Sequence, residues 1–151
     1  MKWVKVSLLF ISLVLVFHLP GCLEEKEERE GEGGMGEATL IIEFGTAEPN
    51  VNLPEHVSQQ NGAVRWVFEN MSITSNETVF TFLIKASERW NFTVEYHYGT
   101  YGVFVDSIAG VSGGENSWWV YLVNGVFGDV AADKKVVEDG QEITWKYSTG
   151  A

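Results

Sequence analysis

A single cysteine, Cys22, leaves the chain no intramolecular disulfide, no thiolate metal cluster and no cysteine nucleophile beyond that position. Histidine is nearly as scarce, with only His56 and His97 after residue 22. No phosphate loop, nucleophile elbow or zinc-binding helix motif accompanies them. Asp129, Asp133 and Asp139 lack the spacing of a calcium loop. An enzyme is not expected from this inventory. Basic residues number 10 against 21 acidic ones. They form no cluster, which excludes nucleic acid as a partner, since its backbone demands concentrated positive charge. Membrane-spanning runs are also missing. The apolar stretch Val6 to Phe17 is shorter than the roughly 20 helical residues that cross a bilayer.

What that stretch does fit is a signal peptide. Lys2 and Lys5 precede it and Leu19-Pro20-Gly21-Cys22 follows. The last four residues resemble the lipobox of prokaryotic lipoproteins, in which cleavage follows the small residue and the cysteine is lipidated. The resemblance implies lipidation at Cys22 and a place on the extracytoplasmic side of the cell membrane. Residues 1–21 would be the signal. Losing Lys2 and Lys5 with it leaves 8 basic against 21 acidic side chains, a formal net charge of −13. Such a chain does not lie flat on anionic lipid, so the membrane link is expected to be the acyl anchor alone. One acyl chain binds only marginally, and multiple acylation of the cysteine would make the anchor stable. Residues 22–37, rich in Glu and Gly, have almost nothing to bury and read as a lipid-anchored, self-repelling tether.

Residues 38–151 have the length of one domain. Thr39 to Phe44 reads as a strand, and Ala63 to Glu69 as a second with Val64, Trp66 and Phe68 on one face. Between them, residues 45–62 show neither helical nor strand period. Thr74-Ser75-Asn76-Glu77 fits a capping box, after which Val79, Phe82, Leu83 and Ala86 recur at helical spacing to about Glu88. Period two resumes at Phe92, Val94, Tyr96 and Tyr98, predicting a half-buried strand. Further strands are expected at Val103–Ile108, Trp118–Val123 and Glu142–Tyr147, with turns at Asn124-Gly125 and Asp139-Gly140. The order argues for an α+β domain, a mostly antiparallel sheet covered on one face by a single helix.

Four segments in order resemble a known family: Thr78-Val79-x-x-x-Leu83-x-x-Ala86, Gly102 to Gly110, Trp118 to Gly125, and Asp139-Gly140-x-x-Ile143-x-Trp145-x-Tyr147. Together they look like the transcobalamin C-terminal-like domain, an uncharacterised-domain family of the soluble-ligand-binding β-grasp group. The resemblance covers about Thr74 to Ser148. It implies a β-grasp-like sheet gripping one helix. In transcobalamin this domain closes over a corrin while a separate helical domain supplies the other half of the site. No such helical domain is read in this chain, so no cofactor is expected, a cobalamin-type ligand being what the resemblance alone would suggest.

The candidate ligand-binding residues are aromatic: Trp119, Tyr121, Tyr101 and Phe104. Adjacent Trp118 and Trp119 in one strand must point to opposite sheet faces. Trp118, Val120 and Leu122 form the purely apolar set and are expected in the core. Trp119 and Tyr121 would then lie on the face away from the helix, either as a binding platform or covered by loop 45–62. Phe104 reads more readily as core than as ligand wall. The loop Gly110 to Ser117 is a candidate lip. His97 shares a strand face with Glu95, an arrangement read as a surface pair rather than a metal site. Asn70, Asn76 and Asn91 head glycosylation sequons. Two functions fit: a binding module capturing a small ligand or glycan on an aromatic sheet face, or a structural module docking a neighbouring cell-surface protein.

Overall fold

The computed structural model describes residues 35–150. The expected signal peptide, Cys22 and most of the tether lie outside them. The chain runs β1 (Glu37–Gly45), β2 (Val57–Gln60), β3 (Ala63–Ser72), α1 (Val79–Trp90), β4 (Val94–Gly99), β5 (Gly102–Ile108), β6 (Val111–Ser112), β7 (Ser117–Val123), β8 (Val126–Phe127) and β9 (Glu142–Thr149). It is a mixed α+β fold with one helix among the described residues. None of them forms a helix long and apolar enough to cross a membrane.

Two sheets carry the strands. The larger has the order β2-β3-β1-β9-β7-β8, and the smaller β4-β5-β6. Every pairing is antiparallel except that of β1 with β9, which run parallel at the centre. Period-two alternation builds the core face of the larger sheet. Leu40, Ile42 and Phe44 on β1 are fully buried. Their register sets Ile42 beside Trp66 and Trp145, and Leu40 beside Phe68 and Ile143. Val79, Phe82, Leu83 and Ala86 of α1 join the same cluster, as do Val103, Val105 and Ile108 of the smaller sheet. Helix and small sheet together therefore contribute to the covering layer, where the sequence predicted the helix alone.

The helix starts later than the sequence suggested. Thr78, not Thr74, is the cap, exchanging hydrogen bonds with Thr81 in a capping box. Glu77 still accepts the Thr74 N–H at 2.9 Å, but its buried carboxylate also pairs with Lys85. That turn feeds the helix instead of beginning it. Asn91, left-handed at φ 54°, caps the C-terminus one turn further on.

Two other expectations are corrected. Residues 45–62 contain the edge strand β2, paired with β3. Its Val-Ser-Gln-Gln sequence is too short and polar to show a period. Strand β4 is largely exposed rather than half-buried. It forms the outer edge of the small sheet, which leaves both of its faces largely open, and opposite Glu95 and Tyr96 the partner strand β5 bulges at Asp106.

Candidate functional site

Strand β7 faces the opposite way from the expected one. Trp119 and Tyr121 are 7% and 8% exposed, whereas Trp118 is 47% exposed. The register explains the inversion. Trp119 lies opposite Tyr147, Tyr121 opposite Trp145 and Val123 opposite Ile143, so the odd-numbered residues of both strands share the core face. The polar tips of both side chains are satisfied inside. Trp119 donates its indole N–H to the Val111 carbonyl at 2.8 Å, and the Tyr121 hydroxyl donates to the Val130 carbonyl at 2.6 Å. Trp119 also packs edge-on against Phe44, with centroids 5.7 Å apart. The cover is the domain's own core, so the open platform on the far sheet face does not exist.

Between β5 and β7 a cleft of about 680 Å³ opens instead. The segment after β8, with Gly128, Val130 and Ala132, closes one end, and Ser112 to Gly114 border the other. Trp119 and Tyr121 still line it, together with Phe104, Phe127 and Trp145. Phe104 and Phe127, 48% and 65% exposed, stand at its mouth. Phe104 is therefore a wall residue and not core. Tyr101, 83% exposed on the β4–β5 turn, lies in an adjoining recess with Phe104, Asp129 and Val130. Three of the four aromatic candidates thus meet in one cavity, with Tyr101 beside it.

Sequence reasoning missed the polar element of this cleft. His97 Nδ1 lies 2.9 and 2.8 Å from the two carboxylate oxygens of Asp106. The imidazole also stacks on Phe104, with centroids 5.5 Å apart and planes at 16°. The partner of His97 is accordingly Asp106, across the hairpin, and not Glu95. The signal was available: a β4–β5 hairpin turning at Gly99–Gly102 sets His97 opposite Phe104 and diagonal to Asp106. No three His, Asp or Glu side chains group to hold a metal among the described residues.

The rim is tied down. Gly113 N–H donates to the Asp106 carbonyl and Gly114 N–H to that of Ser117, both at 2.9 Å. The Tyr147 hydroxyl is 2.9 Å from both the Ser112 carbonyl and the Ser117 hydroxyl. Behind the opposite wall, Asp133 accepts the Val103 N–H at 3.0 Å, and this bond chiefly holds its carboxyl below the usual range. Burial pushes the Tyr121 phenol up, with the nearby Asp129 charge adding to it against the opposing bond to Val130. The sequon residues Asn70, Asn76 and Asn91 are all exposed, each with a positive φ.

Residues 76–149 match a family model described as "Domain of unknown function (DUF4430)". No curated protein matches the chain. Among solved structures, haptocorrin in complex with Cbi is similar at 15% identity and a TM-score of 0.55, over 77% of this chain. The chain spans only 25% of the length of that haptocorrin. A protein from Ruminococcus gnavus, named as a proposed metal-binding protein, is similar at 18% identity and a TM-score of 0.50. That likeness covers 77% of this chain and 99% of the other. These similarities show the fold, which is transcobalamin-like.

Proposed function

We propose that this protein is a non-enzymatic, lipid-anchored binding module on the extracytoplasmic side of the membrane, capturing a small ligand in the cleft between β5 and β7. The single observation that carries the reading is the cavity of about 680 Å³ walled by aromatic side chains. A concavity of that size suits a small molecule, whereas a docking surface for a protein is flatter and larger. The solved relatives support a ligand-binding role, since one of them holds Cbi. Within this reading the fold is a β-grasp, with parallel β1 and β9 at the sheet centre and α1 packed into the same core. Phe104, Trp119 and Tyr121 shape the cleft, and Tyr101 extends its apolar rim. A glycan stacked on Phe104 is a narrower form of the same hypothesis.

The test is a titration of the purified chain with a neutral environment-sensitive dye such as Prodan. Saturable 1:1 binding, weakened by Phe104→Ser, is expected. Unsaturable binding, or binding indifferent to that change, overturns the cleft. The anchor is tested separately by Cys22→Ser, which should release the chain from the lipid-modified membrane fraction. Equal membrane retention and unchanged mass would refute it.

A further inference from the structure

The cleft combines three features that select a ligand by charge. Its walls are aromatic faces, including Phe104, Trp119 and Tyr121. Its one carboxylate is that of Asp106, and none of the described residues lining it is Lys or Arg. The chain as a whole carries a formal net charge of −11. Aromatic faces present negative quadrupole potential, which attracts cations and repels anions. His97 Nδ1 lies within hydrogen-bond distance of both Asp106 oxygens and holds the carboxylate in place at the cleft. The Asp106 carboxylate, 48% exposed on the same sheet face as Phe104, is within reach of a ligand cation. An anionic ligand would find no countercharge in the lining and an acidic protein around it.

We propose that the ligand of this cleft is an organic cation, a quaternary or protonated amine seated between Phe104 and the β7 aromatics with Asp106 as its counter-ion. The assignment rests on the cleft being a ligand site. Asp106 is here a specificity-determining residue: it does not create the cavity, but sets the sign of the charge the cavity accepts. Phe104, two residues before Asp106 on the exposed face of β5, contributes an aromatic surface beside that charge.

Choline and its uncharged carbon isostere, 3,3-dimethylbutan-1-ol, have the same shape and differ in charge, so their comparison isolates the electrostatic preference. Binding of each to the full chain is followed by NMR line shifts at pH 8. Choline should bind about five- to thirtyfold more tightly than the alcohol, a preference that falls with added salt. Asp106→Asn should remove most of that preference, and Phe104→Leu should weaken choline several-fold more than the alcohol. Asp106 and Phe104 are each 48% exposed, so neither change threatens folding. Equal binding of the two probes, or a preference unaltered in Asp106→Asn, overturns the cation assignment. Prodan binding without choline binding also overturns it while leaving the cleft reading intact. Absence of binding by all three probes removes the cleft itself.

Discussion

The ring of Tyr121 packs directly on Gly128, filling the space that a side chain there would need. The two are also joined through the backbone, with the Gly128 N–H donating to the Tyr121 carbonyl at 3.0 Å. This contact seats the segment that closes one end of the cleft. Gly128→Ala should therefore force either the ring or the segment outward, at a cost of about 1–3 kcal/mol for overpacking. Urea denaturation checks it. An unchanged midpoint would mean the segment yields freely and does not define the wall.

Asp133 ties that segment to β5 through the Val103 N–H. Its carboxyl sits below the ordinary 3.8, chiefly because of this bond. A lowered folded value means that the native state holds the carboxylate where the unfolded chain would already have protonated it. The stabilisation is present above about pH 4 and is lost as pH falls through the folded value. The acid limb of a stability–pH curve should thus be shallower in Asp133→Asn than in the wild type. Coincident limbs would show that the bond contributes nothing to acid sensitivity.

The elements that were legible in the sequence are those governed by local pattern. Leu83 and Val79 recur at helical spacing and Ile143 and Trp145 alternate along a strand, and all four lie in one core. What was not legible depended on register between distant strands. Whether β7 turns its odd or even residues inward is fixed by pairing with β9, about 25 residues away, and by carbonyl partners at Val111 and Val130 that no local rule exposes. Choosing the purely apolar set for the core failed because a buried Trp or Tyr needs only one acceptor to be satisfied inside. Thr74 and Thr78 both precede helix-compatible residues, and the left-handed Asn76 at φ 60° between them interrupts any helix begun at Thr74, so Thr78 is the cap. The cleft arises where three segments distant in sequence converge, so only its aromatic composition was visible beforehand.

Leu83 is fully buried at the centre of α1, in the cluster with Ile143 and Trp145. Truncating it to alanine should destabilise the domain by about 2–5 kcal/mol, the spread reflecting how far the site can collapse. Thermal unfolding measures this directly. A loss below that range would place the helix on the periphery and not over the core.

Trp118 and Trp119 are neighbours with opposite fates, and this separates the observed fold from the one expected of the sequence. Trp119 is buried on Phe44 and bonded to Val111, so Trp119→Ala removes a large side chain and leaves a carbonyl unpaired. The cost should be about 3–5 kcal/mol, enough to unfold a marginal domain. Trp118 borders the cleft mouth near Gly150 and is 47% exposed, so Trp118→Ala should shift stability by only about 0.5 kcal/mol. Acrylamide, being neutral, reports exposure without bias from the acidic surface. The wild type should show a quenchable tryptophan component of which Trp118→Ala removes the larger part, leaving a smaller share from half-buried Trp90. If Trp119→Ala folds normally and it is this change that removes the quenchable component, β7 is turned the other way and the cleft loses its inner wall.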